Sequence, residues 1–337
     1  MRENIAFYPL TADNTSYSIM RELAKTQYNV VDYLDVREGL YNLKNIRTIY
    51  LNWLENYLTV EDKKILKRAK NLGVKIVWVF HNRVSHDEEL KDVSMANICF
   101  LMKICDNVVL YSHKSKDYLL EYDKNFDMSK LHYIPHPDFV NDYHDYGNVK
   151  ERLHIPDDCF VFSIFGSIRP YKNYEILIEA FERLDLKYNC RLLIAGKALN
   201  NEYSKKISEL SKNKNIVFDF KYLNNLEMGT YLKDTDVMVL PYSLESSMNS
   251  GVMIMAFSYA CPVIIPNIAM AEQFDDNLFY KYEYNSREEH VEVLHKQMEI
   301  AYLNGRERNR EKGQQLKKII KEKHDKEMTR EALLKVL

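Results

Sequence analysis

The feature that most constrains this chain is an alternation that runs through most of its length: a short apolar run, then a stretch with helical spacing, then another apolar run. In the first half the apolar runs are Ile5–Tyr8, Val30–Leu34, Thr48–Trp53, Val74–Phe80, Asn107–Tyr111 and Leu131–Ile134. Between them lie the helix candidates Tyr17–Lys25, Val60–Leu72, Met95–Ile104 and Lys116–Tyr122. The second half repeats the pattern. Its strand candidates are Phe160–Phe165, Arg191–Ala195, Ile216–Phe218, Val237–Leu240 and Pro262–Ile265, and its helix candidates are Tyr174–Leu184, Glu202–Lys212, Leu226–Lys233 and Gly251–Ala260. Such alternation predicts α/β structure with doubly wound parallel sheets. Two series in 337 residues predict two Rossmann-like domains.

The expected division is an N-terminal domain over 1–140, a linker over 141–158, a second domain over 159–285 and charged helices over 286–337. The linker reading rests on the Pro-, Asp-, His- and Tyr-rich stretch from Pro135-His136-Pro137 to Asp157-Asp158, which has no clear period. A net charge of −2 provides no global basic field, so no nucleic-acid partner is expected. The five cysteines (Cys99, Cys105, Cys159, Cys190, Cys261) form no CxxC pair and read as reduced core thiols. The opening MRENIAFYPL lacks a signal peptide's apolar stretch, so a cytoplasmic location is expected and the sequon at Asn14-Thr15-Ser16 is read as chance. The lysine- and arginine-bearing face of Val60–Leu72 leaves peripheral contact with the inner membrane face open.

Ligands of open α/β sheets bind beyond the carboxyl ends of the strands, so the residues after each strand matter most. After Phe160–Phe165 comes Gly166-Ser167-Ile168-Arg169-Pro170-Tyr171-Lys172-Asn173, and then a helix with Asn173 as its expected cap. Glycine lets the backbone approach a ligand, a helix start offers N–H groups to an anion, and Arg169 and Lys172 add positive charge. The unit reads as a diphosphate cradle without a metal, although an ordinary basic loop looks the same in isolation. After Val237–Leu240, Ser250 or Asn249 would cap a helix opened by Gly251. That helix is apolar almost all round and therefore buried, a second anion site. Glu245 is a candidate acceptor for sugar hydroxyls. After Val74–Phe80 comes HNRVSHD, in which His81 is placed for chemistry and Asn82 for substrate contact. His81 and His86 lack a third metal ligand, and Asp234-Thr235-Asp236 precedes its strand, so it reads as a helix stop rather than a metal–diphosphate motif. Tyr222 is a candidate for stacking on a base.

The stretches SIFGSIRPYKNYEILIEAFERL, RLLIAGK and DVMVLPYSLESSMNSGVMIMAFSYACPVIIPN, supported by IYLNWLEN, KIVWVFHN and IPHP, resemble the GT4-type glycosyltransferases over nearly the whole chain. The resemblance implies a GT-B fold, two Rossmann-like domains facing each other across a cleft. It implies that Arg169 and Lys172 bind the donor diphosphate beside Gly166 and Ser167, and that His81 lies near the donor sugar and acceptor. It also implies that the second domain holds the nucleotide and the first the acceptor, and that part of the C-terminal helices crosses back to the first domain. Such enzymes usually carry Glu-x7-Glu. Here the second position is Met255 and the first Ser247, Glu245 is two residues early, and Ala260 stands where a Gly is usual. The chain is similar to the branch that lacks the pair and opens this helix with Ser-Gly, whose members act on surface polysaccharides. The Gly-rich loop often found after the first strand is replaced by PLTADNTSYS.

The expected activity is transfer of a hexosyl unit from a UDP- or GDP-sugar to a glycan or lipid-linked acceptor, retaining and metal-independent, with no cofactor beyond the nucleotide sugar. Two other readings stay open: a non-catalytic GT-B protein that binds a partner enzyme, and a sugar-nucleotide epimerase.

Overall fold

The computed structural model describes residues 2–9, 15–145, 147–184, 188–211 and 214–337. Among them the strands form two parallel six-stranded sheets. The first contains β1 (Asn4–Tyr8), β2 (Asn29–Asp32), β3 (Ile46–Asn52), β4 (Lys75–Val79), β5 (Asn107–Leu110) and β6 (Leu131–Tyr133), in the order β2-β1-β3-β4-β5-β6. The second contains β7 (Phe160–Phe165), β8 (Cys190–Ala195), β9 (Ile216–Asp219), β10 (Val237–Val239), β11 (Val263–Pro266) and β12 (Tyr280–Tyr282), in the order β12-β11-β10-β7-β8-β9. Parallel strands covered on both faces read as continuous apolar runs, and every residue of β7, β10 and β11 is buried.

The crossovers in the first series are α1 (Thr15–Lys25), α2 (Tyr33–Arg37), α3 (Val60–Asn71), α4 (Lys91–Ile104) and α5 (Ser115–Tyr122). In the second, α6 (Val149–Arg152) precedes β7, the crossovers are α7 (Tyr174–Glu182), α8 (Asn201–Leu210), α9 (Asn225–Lys233) and α10 (Gly251–Ser258), and α11 (Arg287–Lys323), kinked at Gly305, and α12 (Lys326–Val336) follow. The strand read as Val30–Leu34 stops at Asp32, because the Asp32 carboxylate accepts from Leu34 N at 2.9 Å and caps α2. β12, three residues of Tyr-Lys-Tyr, was too short and polar to stand out and joins the sheet edge beside β11. The loop residues 10–14, the sequon's Asn14 and Lys212 of a helix candidate lie outside the described residues.

Two compact units result: Met1–Pro137 with Glu245–Asn249 and Lys323–Leu337, and Asp138–Leu244 with Ser250–Glu322. Residues 141–158, read from the sequence as a linker, therefore count with the second unit. There the Asp234 carboxylate, at the end of α9, accepts from Val149 N at 2.8 Å and Lys150 N at 3.2 Å and so caps α6. This is the work of the first Asp in Asp234-Thr235-Asp236. The second accepts from Val161 N at 2.8 Å and pairs with Arg306 at 3.1 Å. At the other end, Lys323–Leu337 returns to the first unit. Thr48 Oγ1 donates to Leu337 O at 2.6 Å and Asn107 Nδ2 to Val336 O at 3.0 Å, which fastens α12 to the amino ends of β3 and β5. No helix among the described residues is long and apolar enough to cross a membrane.

Candidate active site

The second sheet reverses direction between β7 and β10, and in an open α/β sheet such a switch point opens a crevice at the carboxyl ends of the strands. The loop after β7 begins with Gly166 at φ 99°, beside Gly196 at φ 142° after β8. The two backbones touch. A Cβ on Gly196 would lie 1.7 Å from Gly166 O, so only glycine fits there. Ile168 then pairs with the chain after β8, its N–H donating to Lys197 O at 2.9 Å. A single helical turn, Pro170–Lys172, leads into α7.

Asn173 corrects one expectation. It is left-handed (φ 52°, ψ 47°) and its side chain caps nothing. Instead its Nδ2 donates to Pro241 O at 2.9 Å, while Ser243 N donates to Tyr171 O at 3.2 Å. These two bonds tie the loop after β7 to the loop after β10, and so assemble both sides of the switch point.

Lys172 is the unusual member of this loop. It is 4% exposed, yet no carboxylate or other hydrogen-bond partner meets it among the described residues. Burial, reinforced by the neighbouring Arg169 charge, lowers its pKa to about 8. Its Nζ would lie 3.7 Å from a Cβ on Gly166, which places the ammonium over the glycine turn. Arg169 is half-buried, and its one hydrogen bond among the described residues goes to Ile168 O at 3.3 Å. Ser167 is exposed. Two adjacent cations without an acidic partner, one of them buried, are an unfavourable arrangement for a protein alone and a favourable one for binding an anion.

The second half of the crevice is α10. Ser250 caps it as expected, its Oγ accepting from Met253 N at 3.0 Å and lying 3.5 Å from Tyr242 Oη. Gly251 opens the first turn, whose remaining N–H groups have no intrahelical acceptor. Met255, where a ribose-binding Glu was looked for, is buried in the helix.

The remaining candidates belong to the first unit. His81 follows β4, with its ring centroid 4.8 Å from Trp53 and 6.0 Å from Tyr111 in edge-on geometry. Its Nδ1 is buried without a partner. Burial, with smaller contributions from the His136 and His86 charges, lowers its pKa to about 3, so the imidazole is neutral at physiological pH. A group so weakly basic is suited to hydrogen bonding rather than to removing a proton. Asn82 is buried beside it. The five residues Glu245–Asn249, although they follow β10, pack in this unit: Asn249 Nδ2 donates to His81 O at 2.8 Å, and His86 Nδ1 lies 2.8 Å from Ser246 Oγ. Glu245 is exposed and pairs with Lys91 Nζ at 2.6 Å, which already provides its carboxylate with a cation.

Tyr222 stands apart. It is 56% exposed, follows the edge strand β9 two strands from β7, and makes no ring contact among the described residues. Sequence reasoning missed Gly196 and Tyr242. Gly196 was within reach: it ends an apolar strand next to the one that ends in Gly166.

Two Rossmann-like units, each a parallel six-stranded sheet with flanking helices, define a GT-B fold. Residues 145–316 match the family described as glycosyl transferases group 1, and the chain belongs to that family. Its fold is similar to that of the Anabaena HepE protein in complex with UDP and glucose, at 13% identity, 99% of both chains and TM-score 0.73. It is also similar to sucrose-phosphate synthase from Thermosynechococcus elongatus, at 12% identity, 99% of this chain, 97% of that one and TM-score 0.76. A glycosyltransferase from Rickettsia africae aligns at 14% identity over 99% of this chain and 97% of that one, with TM-score 0.71. Comparison with curated protein sequences finds no match.

Proposed function

We propose that this glycosyltransferase moves a hexosyl unit from a UDP- or GDP-sugar to a glycan or lipid-linked acceptor in polysaccharide biosynthesis, in the manner of the GT4-type enzymes. It works at the cytoplasmic side, in solution or peripherally at the membrane. The observation that carries the reading is Lys172, a buried cation beside Arg169 with no acidic partner among the described residues. A nucleoside diphosphate supplies the missing charge. UDP is the first candidate because the HepE relative was crystallised with it.

In the proposed reaction the bond from the anomeric carbon to the diphosphate breaks and the acceptor oxygen bonds to that carbon on the same face. The acceptor proton passes to the departing phosphate oxygen. The leaving group carries the negative charge, so Arg169, Lys172 and the first N–H groups of α10 act on it directly, without a metal. His81 takes part as a neutral hydrogen-bonding group that positions substrate.

Arg169→Ala tests this reading. Calorimetric titration with UDP is expected to show about a 10- to 100-fold loss of affinity, the worth of a charge-assisted phosphate contact. Transfer from the UDP-sugar should fall at least as far. Unchanged UDP affinity would remove the cradle from the reaction.

A further inference from the structure

The edge strand β12 delivers a side chain to which the proposed reaction assigns no role. Tyr282 closes the strand beside Pro266 of β11, and its carbonyl accepts from Asn267 N at 2.7 Å. Two residues on, Tyr284 reaches past β11 to the loop after β10. Its hydroxyl accepts from Leu244 N at 3.0 Å and donates to Tyr242 O at 3.0 Å. A phenol both donates and accepts, so one hydroxyl satisfies a peptide N–H and a peptide C=O of the same loop.

The ring is held as well. It stacks on the His290 imidazole with centroids 3.7 Å apart and planes 11° from parallel. His290 is buried near the start of α11, and its Nε2 lies 2.9 Å from Tyr282 Oη. Burial, with a smaller contribution from the Arg287 charge, lowers the His290 pKa to about 4, so both stacked rings are uncharged at neutral pH. Tyr282, His290 and Tyr284 form a pillar that stands on α11.

The pillar supports the loop that joins the two sides of the switch point. Backbone groups alternate along that loop, as they do in extended chain. Pro241 O and Ser243 N bond to Asn173 Nδ2 and Tyr171 O, which flank Lys172. Tyr242 O and Leu244 N bond to Tyr284. Tyr242 itself is buried, with its hydroxyl 3.5 Å from Ser250 Oγ, the cap of α10. Without the Tyr284 hydroxyl, two backbone groups lose this partner and the loop is held from the Tyr171–Asn173 side alone.

We propose that Tyr284 is a positioning residue for nucleotide binding: its hydroxyl sets the loop after β10 and, through it, the spacing between Lys172 and the first turn of α10. The proposal rests on the proposed function, in which a nucleoside diphosphate occupies this switch point.

The test is calorimetric titration of the full chain with UDP. Tyr284→Phe keeps the ring on His290 and removes only the hydroxyl; about a tenfold loss of UDP affinity is expected. Tyr188→Phe is the control. Tyr188, at the amino end of β8, donates its own hydroxyl to Glu299 at 2.9 Å, so the control removes a bond of the same kind from the same unit. Its UDP affinity should stay within about twofold of the parent's. His290→Ala removes the stack and keeps the hydroxyl, and should weaken UDP in the same direction, whereas His290→Phe, with a flat uncharged ring, should retain most of the affinity. Hydrogen exchange of residues 241–244 should quicken in Tyr284→Phe and not in the control. A parent protein that does not bind UDP contradicts the proposed function itself. A parent that binds UDP, with Tyr284→Phe binding it equally well, overturns the positioning role. So does an equal loss in Tyr188→Phe, which would make the effect one of general stability. If Tyr284→Phe does not fold, the His290 variants decide, and His290→Ala binding UDP as the parent does overturns the role.

Discussion

Lys172→Met is expected to make the ligand-free protein more stable while abolishing its response to UDP. The sign follows from the depressed pKa. In the unfolded chain this lysine holds its proton up to about pH 10.5, and in the folded protein only up to about pH 8. Below pH 8 the native state therefore carries the whole cost of a buried ammonium, which is relieved as pH rises from 8 toward 10.5. The difference corresponds to about 3 kcal/mol at neutral pH. An unbranched apolar side chain of similar length removes that cost and keeps the packing. Melting curves with and without UDP check it. The variant should melt several degrees higher than the parent, show no UDP-dependent shift, and lose nearly all transfer. A variant that melts lower yet keeps its UDP shift and its turnover would make Lys172 a structural residue.

The second large effect concerns a contact between backbones. Gly196→Ala places a Cβ 1.7 Å from Gly166 O and 2.7 Å from Gly166 C, and no rotation of a side chain relieves a clash with main chain. The ends of β7 and β8 must separate, which costs about 1–3 kcal/mol as overpacking and moves the turn that carries Arg169 and Lys172. UDP affinity is expected to drop by about two orders of magnitude, since aligned phosphate contacts do not survive displacement. Gly166→Ala is the comparison. Its Cβ meets only Lys172 Nζ at 3.7 Å, so its cost is the left-handed backbone at φ 99°. Gly196→Ala should therefore be the more damaging of the two, both in melting temperature and in UDP titration; equal behaviour would mean that the two strand ends are not in the contact described.

The parallel strands were legible because both faces of each are covered, so β7 reads Phe-Val-Phe-Ser-Ile-Phe without an exposed position. The same logic hid β12, an edge strand of three residues, and misread the end of β2, where the Asp32 carboxylate turns the chain into α2. The loop after β7 stood out in the sequence because glycine, arginine and lysine follow a buried strand. The burial of Lys172 was not, since a lysine in a polar loop carries no mark of what will pack around it. Asn173 has the composition of a cap, but its side chain bridges to Pro241 O, a partner 68 residues away.

The most direct test of the proposed anion site is the proton balance of UDP binding. An anion beside Lys172 restores its pKa toward the ordinary lysine range, so binding must draw protons from solution at pH values near the depressed pKa of about 8. UDP itself has lost its last phosphate proton by then, with a pKa of about 6. Titration calorimetry at pH 8 in two buffers of different ionisation enthalpy measures the uptake. About half a proton should be taken up per UDP, and affinity should weaken as pH rises from 8 to 9.5. UDP binding with no proton uptake and an affinity constant across that range would contradict the account.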